Sequence, residues 1–397
     1  MAKWEFVAYE TLASEERSSF SMGPFGSKIT KENYVAEGVP VVRGVNLARG
    51  IFVDDDFVFI TEDKADEILP ANVAPGDLIF THRGTIGQVS MLPRNPRFDR
   101  YVIGSSQVKT RLCLKKAVPE FYFYWFQSEA GRRSILENAS TVGVPGIATP
   151  LTSIRNLKVP LPALAEQEAV ADVLGALDDK IAVNERIAAT ADALASALFE
   201  ASEAKEHYRL SDVASIVMGQ SPPGETYNET GDGIPFYQGV RDFGMRHPGH
   251  RVWCTEVSRH AGAGDVLVSV RAPVGTINVA EETCGIGRGV AAVRASQYPH
   301  VLLQALSSDG SVWRPYEAEG TVFGSINKKQ LSLLEVSWPN ESQIEAVEGQ
   351  LSVLDRQVSQ VLHESRSLSI LRDTLLPQLM SGRLRVKDAE KIVEDHV

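Results

Sequence analysis

Arginine, asparagine and glutamine recur in six glycine-rich stretches of this chain: VVRGVN (41–46), FTHRGTIGQ (80–88), GSSQVKTR (104–111), FYQGVRDFGMRHPGHR (236–251), VSVRAPVGT (268–276) and GIGRGVAAVR (285–294). Such side chains match the edges of bases. Arginine pairs with guanine through two hydrogen bonds, asparagine and glutamine pair with adenine, and lysine and threonine suit phosphate oxygens. With the neighbouring loops around 28 and 220, the candidates for contact with double-stranded DNA are Lys28, Arg43, Asn46, His82, Arg83, Thr85, Gln107, Lys109, Gln220, Tyr237, Gln238, Arg241, Arg271, Thr276 and Arg288. Any one of these arginines taken alone is more commonly a solvated or ion-paired surface residue. Six loops at equivalent places of a repeated unit carry the assignment as a set.

Bond-breaking chemistry is not represented in the same way. No Gly-x4-Gly-Lys-Ser/Thr loop occurs, so no ATP motor is expected in this chain. NPRF (95–98) is close to the Asn-Pro-Pro-Phe/Tyr signature of amino-methyltransferases, but Arg97 stands where the second proline belongs, and a surface turn is the simpler reading. GIGRG (285–289) does not open a helix after a strand, as a nucleotide loop should. Asp56, Glu62 and Lys64 have a loose nuclease-like spacing, yet Asp54-Asp55-Asp56 reads as an acidic turn. His82, His247, His250 and His260 lack helical metal-ligand spacing, and three separated cysteines (Cys113, Cys254, Cys284) make neither a disulfide framework nor a zinc site. No catalytic residue, metal or bound cofactor is assigned. A reducing cytoplasm is the expected location: MAKWEFVAYE lacks the apolar core of a signal peptide, and no apolar run is long enough to span a bilayer.

A net charge of −11 argues against a purely electrostatic grip on phosphate. Its distribution matters more. Residues 1–162 carry +1 and 206–340 carry −3, whereas 163–205 alone carry −6. The globular parts are near neutral, and the acidity sits in one helical segment.

The elements that position the loops come in two copies, and 397 residues leave room for two or more cores. Met22-Gly23 matches Met218-Gly219, VPVVRGVN (39–46) matches IPFYQGVR (234–241), and PGDLIFTHRGTIGQV (75–89) matches GAGDVLVSVRAPVGTINV (262–279). IRNLKVPLP (154–162) matches LSLLEVSWP (331–339), and LAEQEAVADVLGALDDKI (164–181) matches ESQIEAVEGQLSVLDRQV (341–358). The offset drifts from 196 to 177, as loop insertions would make it. Short alternating apolar runs, such as 39–45 and 77–80, bounded by glycine and proline, predict strands. A helix is predicted over 119–138, entered through Pro119, with its counterpart at 298–316.

Each unit ends in a long helix. Val170, Leu174, Leu177, Ile181, Asn184, Ala188, Ala191, Ala195 and Leu198 recur at alternating spacings of four and three, as do Ile344, Val347, Leu351, Leu354, Val358, Val361, Ser365 and Leu368. A sustained 3.5-residue period is the seam of a coiled coil. Helix pairing is therefore expected through Val170, Leu174, Leu177, Ile181, Val347, Leu351, Leu354 and Val358. Asn184 and Ser365 are polar at seam positions, which can fix register. Asn340 with Gln343 predicts an N-terminal capping pair, and Pro377 predicts the end of the second helix.

With its two variable units, each closed by such a helix, the chain resembles the specificity subunit of Type I restriction-modification enzymes. The resemblance runs over essentially the whole chain, on GPFGS (23–27), GDLIFTHRGTIG (76–87), PLPALAEQEAVADVLGALDDKI (160–181), LRDTLLPQLM (371–380) and SGRLRV (381–386). It implies an α+β fold of two β-rich target-recognition domains (1–162 and 206–338) and two long helices (163–205 and 339–380) that pair antiparallel, with a C-terminal tail (381–397). It further implies a non-catalytic subunit whose domains each read one half of a split, asymmetric DNA site. Two methyltransferase subunits and the motor-nuclease subunits would be its protein partners, and these would use S-adenosylmethionine, ATP and Mg. The acidic first helix would face protein. One departure is present: the second helix opens WPNESQIEAVEGQ, where the family has Pro-x-Pro and an adjacent Glu-Gln. Two other classes stay open at this level, an enzyme with a degenerate nuclease or methyltransferase motif and a coiled-coil scaffold that binds only proteins.

Overall fold

A computed structural model describes residues 4–395, except 26–27, 141–144, 203–205, 309 and 318–323; the side chains of 49 and 50 are also outside the description. Parts of several sequence segments singled out above, residues 1–3, 26–27, 203–205, 309 and 396–397, therefore lie outside the described residues. The chain forms two compact units, one of residues 1–181 with 366–397 and one of residues 182–365. Both long helices cross from one unit to the other, and the C-terminal tail folds with the N-terminal unit.

The first unit holds a four-stranded antiparallel sheet in the order Phe20–Met22, Gln107–Thr110, Leu78–Thr81, Val89–Met91. A second sheet runs Val58–Ile60, Val39–Val42, Tyr101–Ile103, Asn72–Val73, with its central pair parallel. Glu5–Ala8 pairs with Lys158–Leu161 at the base of the first long helix. Between the first sheet and the helices lies an aromatic core in which Tyr9 meets Phe20, Phe80 and Phe126 edge to face. Buried Tyr9 satisfies its hydroxyl on Thr110 Oγ1 at 2.9 Å. The tail helix Val386–Glu394 buries Ala389 and lays Val386, Ile392 and Val393 on the same core.

The second unit repeats this plan. Its sheets run Ala214–Met218, Val290–Ala295, Val266–Ser269, Ile277–Val279, and Tyr227–Asn228, Trp253–Cys254, Ile234–Tyr237, Cys284–Ile286, His260–Ala261, again with one central parallel pair. Equivalent side chains even make equivalent ion pairs. Arg111 grips buried Asp77 with Nε and Nη2, both at 2.8 Å, and Arg294 grips buried Asp265 at 2.7 and 2.9 Å. In each case the carboxylate also accepts from a backbone amide three residues earlier, Ala74 or Gly262. The duplication legible in the sequence is thus a duplication of fold.

The expected helix over 119–138 is two helices, Pro119–Gln127 and Glu129–Leu136. Ser128 turns extended between them and accepts the Gly131 amide on its hydroxyl at 3.2 Å. A Cβ on Gly131 would fall 2.1 Å from the Trp125 carbonyl, so glycine permits the second helix to abut the first. The counterpart over 298–316 is likewise broken, into Pro299–Ser307 and the 3-10 turns Gly310–Tyr316.

The long helices span Leu164–Ala201 and Ile344–Met380, 38 and 37 residues, hence about 57 and 55 Å at 1.5 Å per residue. In the first unit Val170, Leu174, Leu177 and Ile181 are buried in one core with Leu368, Leu375 and Leu379. Asp178 accepts from Tyr124 and Arg372 there, both at 2.7 Å. In the second unit Ala188, Ala191 and Val358 form the seam with Leu354, Val361 and Leu362, while Val347 and Leu351 are buried with Ala195 and Phe199. Asn184 donates to Glu364 at 2.8 Å, and Arg246 lies between Asp192 and Asp355. As the first helix advances from 184 to 192 its neighbour recedes from 364 to 355, so the helices pair antiparallel. All eight named seam residues are buried except Leu354, which is half-buried. Leu198 is half-buried and Phe199 takes the core position beside it, because a straight 3.6-residue helix drifts off a 3.5 period. Ser365 is buried as well.

Pro377 does not end the second helix, which continues to Met380. Burial of Leu375, Leu379 and Met380 holds the last turn together, and Gly382, at φ +65°, terminates it, with the Arg383 amide returning to the Gln378 carbonyl at 3.0 Å. At the other end Asn340 caps through Oδ1, which accepts the Gln343 amide at 3.1 Å.

Candidate nucleic-acid interface

In each unit four loops leave equivalent strand ends and touch one another backbone to backbone. A Cβ on Gly23 would lie 1.8 Å from the Gly104 carbonyl, and one on Gly219 would lie 2.1 Å from the Gly287 carbonyl. The Gly23 amide donates to Gln107 and the Gly104 amide to Val42, as Gly219 does to Val290 and Gly287 to Tyr237, all at 2.8–2.9 Å. A hairpin joins them: His82 N bonds Ser106 O and Val270 N bonds Gly289 O, both at 2.9 Å, which makes Arg83 and Arg271 equivalent. Rigid strands thereby present a cluster of short loops, the arrangement by which binding residues are held on a scaffold.

Of the fifteen candidates, Lys28, Arg83, Thr85, Gln220, Gln238, Arg241, Arg271 and Arg288 are exposed, and Arg43 and Thr276 are half-buried. Arg43 is partly spent on its own loop, donating from Nη2 to the Asp56 carbonyl at 2.8 Å. Five others face inward, and for these the structure corrects the sequence reading. Asn46, fully buried, accepts the Arg43 amide at 2.9 Å and donates to Val53 and Asp55 carbonyls at 3.2 and 2.7 Å, so it clasps its loop. His82 is buried with Nε2 on the Ser105 carbonyl at 3.1 Å, and burial holds its pKa below the ordinary histidine value. Gln107 lies buried between loops, its amide set to donate to Gly104 O (3.3 Å) and accept from Gly44 N (3.2 Å). Lys109 is buried with Nζ donating to the Asn72 carbonyl, tying the two sheets together, and burial lowers its pKa. Tyr237 packs in the apolar core with Leu267 and Ile286. These five position the loops that others could use for contact.

The exposed candidates converge most clearly in the second unit. Gln238, Arg271 and Arg288, with Ser221 and Gly289, line one cleft of about 190 Å³. Gln220 lines a neighbouring cleft with Ser221 and Glu256, while Arg241 lines neither. Ser221 escaped the sequence reading although it follows the repeated Met-Gly pair by two residues; its Oγ accepts Arg288 Nε at 3.1 Å. In the first unit Phe25 and Val45 are exposed apolar side chains on the loops, and only their loop setting could have marked them.

Two further polar residues connect loops and helices. Gln167, fully buried, accepts the Val118 amide at 2.9 Å and donates to Pro162 O at 2.9 Å, fixing the start of Pro119–Gln127. The corresponding place in the second helix is apolar Ile344, and Glu348 does the work instead, accepting the amides of His300 and Val301 at 3.1 and 2.9 Å at the start of Pro299–Ser307. The departure from the Glu-Gln pattern is therefore compensated one turn along. Among the described residues no helix is long and apolar enough to cross a membrane, and no three His, Cys, Asp or Glu side chains are grouped as metal ligands.

Residues 25–192 match the family described as Type I restriction modification DNA specificity domain. That match covers most of the N-terminal unit and the first long helix as far as Asp192. Over 384 residues the chain is 24% identical to a Methanocaldococcus jannaschii protein provisionally named as the MjaX specificity subunit of a type I restriction enzyme, with 90% of each chain covered. The chain is thus similar to a type I restriction enzyme specificity subunit over nearly its whole length. Its fold is similar to that of the S subunit of a Type I restriction-modification system from M. genitalium, with a TM-score of 0.61 and 17% identity over 95% of this chain and 96% of that one. The HsdS subunit from Thermoanaerobacter tengcongensis also matches, with 24% identity, a TM-score of 0.35 and 96% and 97% coverage.

Proposed function

We propose that this chain is the non-catalytic recognition subunit of a cytoplasmic Type I restriction-modification complex. Each unit reads one half of a bipartite, asymmetric double-stranded DNA site, and the helical body recruits two methyltransferase subunits and the motor-nuclease subunits. S-adenosylmethionine, ATP and Mg are used by those partners. The observation that carries the reading is the pair of equivalent loop clusters, one on each copy of a duplicated fold, in a chain similar to a specificity subunit over nearly its whole length. Two equivalent but non-identical readers match an asymmetric, two-part site. The exposed Lys28, Arg83 and Thr85 in the first unit and Gln220, Gln238, Arg241, Arg271 and Arg288 in the second are the proposed contacts.

The test is a swap. Residues 1–150 are replaced with those of a relative, the chimera is combined with methyltransferase subunits and S-adenosylmethionine, and methylated sites are mapped. One half-site should change and the other remain. A chimera that alters both halves together, or methyl transfer or cleavage by the purified chain without partners, would overturn the reading.

A further inference from the structure

Resting on that reading, we propose that Arg288 reads a guanine in the half-site recognised by the second unit, and that Ser221 is the positioning residue that aims it.

Arg288 is anchored at both ends. Its backbone lies between two glycines whose neighbours are in contact with the adjoining loop. The Gly287 amide donates to Tyr237 O at 2.9 Å, the Gln220 amide to Ile286 O at 2.9 Å, and a Cβ on Gly289 would fall 2.2 Å from the Gln238 carbonyl. At the far end, Nε donates to Ser221 Oγ at 3.1 Å. With Nε occupied, the outward edge of the guanidinium is the Nη1/Nη2 fork, a planar pair of donors at fixed separation. Guanine is the base that offers two acceptors, O6 and N7, to such a fork in the major groove.

The surroundings leave that fork available. Arg294 and Arg251 are each held by a carboxylate, Asp265 and Asp242, whereas Arg288 pairs with no carboxylate among the described residues. Arg271 and Gln238 enter the same cleft from separate loops and can address a phosphate or a neighbouring base. A phosphate contact requires only positive charge, which a free side chain supplies as well. A tether that removes rotamer freedom is useful where donor direction matters, because less ordering is then left to be lost on binding.

The experiment uses the full chain with methyltransferase subunits on a randomised DNA library, with methylated sequences read out. Wild type should require guanine at one position of the second unit's half-site. Arg288→Lys keeps the charge and removes the fork, so preference at that position should fall about tenfold or more while the other positions are unchanged. Ser221→Ala should weaken the same position by a smaller factor. Replacing the guanine with 7-deazaguanine, which lacks N7, should reduce methylation by wild type but not by the lysine variant. Retention of every base preference in Arg288→Lys overturns the assignment. So does a uniform loss across all sequences in Arg288→Ala, the mark of a phosphate contact. A wild-type complex without sequence preference would overturn the recognition reading itself.

Discussion

Removing the guanidinium of Arg246 should destabilise the second unit, and by an amount that depends on pH in a stated direction. Arg246 is 8% exposed and lies between an aspartate of each long helix, ion-paired with Asp192 and with Nε 3.5 Å from Asp355 Oδ1. The next residue, His247, donates from Nδ1 to Val279 O at 2.9 Å and lies 3.2 Å from Ser359 Oγ, so this loop is pinned to the helices at two points. Burial already raises the Asp192 pKa; Arg246 lowers it and Asp355 raises it. Arg246→Ala leaves Asp192 without its counter-charge and Asp355 with only His300, whose Nε2 lies 3.7 Å from Asp355 Oδ2. Breaking a fully buried pair costs about 3–5 kcal/mol. The side chains of Asp192 and Asp355 are 33% and 22% exposed, so water recovers part of this, and about 2–3 kcal/mol is expected. For a unit of about 180 residues that is a fall in Tm of about 4–12 °C. In the variant the Asp192 pKa rises further, so its folded state is favoured below that pKa and penalised as pH rises through it. The deficit against wild type should therefore be largest near pH 7.5 and shrink toward pH 4.5, as read by differential scanning calorimetry. Asp192→Asn in the Arg246→Ala background should recover part of the loss. A shift under about 1 °C at pH 7.5, or a deficit that grows on acidification, refutes the reasoning.

Leu177→Asp, at a fully buried seam position, should abolish folding of the helical body or its assembly with methyltransferase, and Leu354→Asp, half-buried, should cost less; normal assembly of both variants in gel filtration would show the seam assignment to be wrong. The hydrogen bond that His300 donates to Glu348 raises the His300 pKa, while Glu348, raised by burial, is lowered overall by the bonds it accepts from His300 and the backbone amides. The histidine's contribution is full below its unfolded value of about 6.5 and is lost as pH rises through the folded one, whereas the carboxylate's is lost on acidification below about 4.5. NMR titration should place His300 above 6.5, and a value below it refutes the pairing. On the proposed two-part reading, four residues inserted after exposed Ala189 lengthen the first helix by about 6 Å and turn it by about 40°, so sites methylated by an assembling variant should keep their half-sites and gain about two base pairs of spacer. An active variant with the original gap would show that something else sets the distance.

The repeat and the helical seam were legible in the sequence because both are one-dimensional patterns. Strand-loop units recur with their glycines because backbone-to-backbone contacts, such as Gly219 on Gly287, admit no side chain. The 3.5-residue period recurs because each buried position must meet its partner helix. Local signals misled where a tertiary contact outweighed them. Pro377 is a helix breaker by propensity, yet the last turn survives on the burial of Leu379 and Met380, and 119–138 breaks at Ser128 with no proline or glycine at the break.

Which loop residues face outward was decided by the tertiary structure alone. Asn46 and Arg241 occupy equivalent places in the two repeats, yet one is fully buried and the other exposed. An amide has both a donor and an acceptor and can satisfy them on the surrounding carbonyls and amides, as Asn46 does; a guanidinium has only donors and a charge, and burying it requires a carboxylate. Gln107 and Lys109 likewise stand where the second unit has Val290 and Ala292, all four buried. Sequence determined that polar, donor-bearing loops would be present twice and on matching scaffolds. The tertiary structure decided which of those donors already have partners inside the protein, because hydrogen-bond satisfaction depends on neighbours that are distant in the chain.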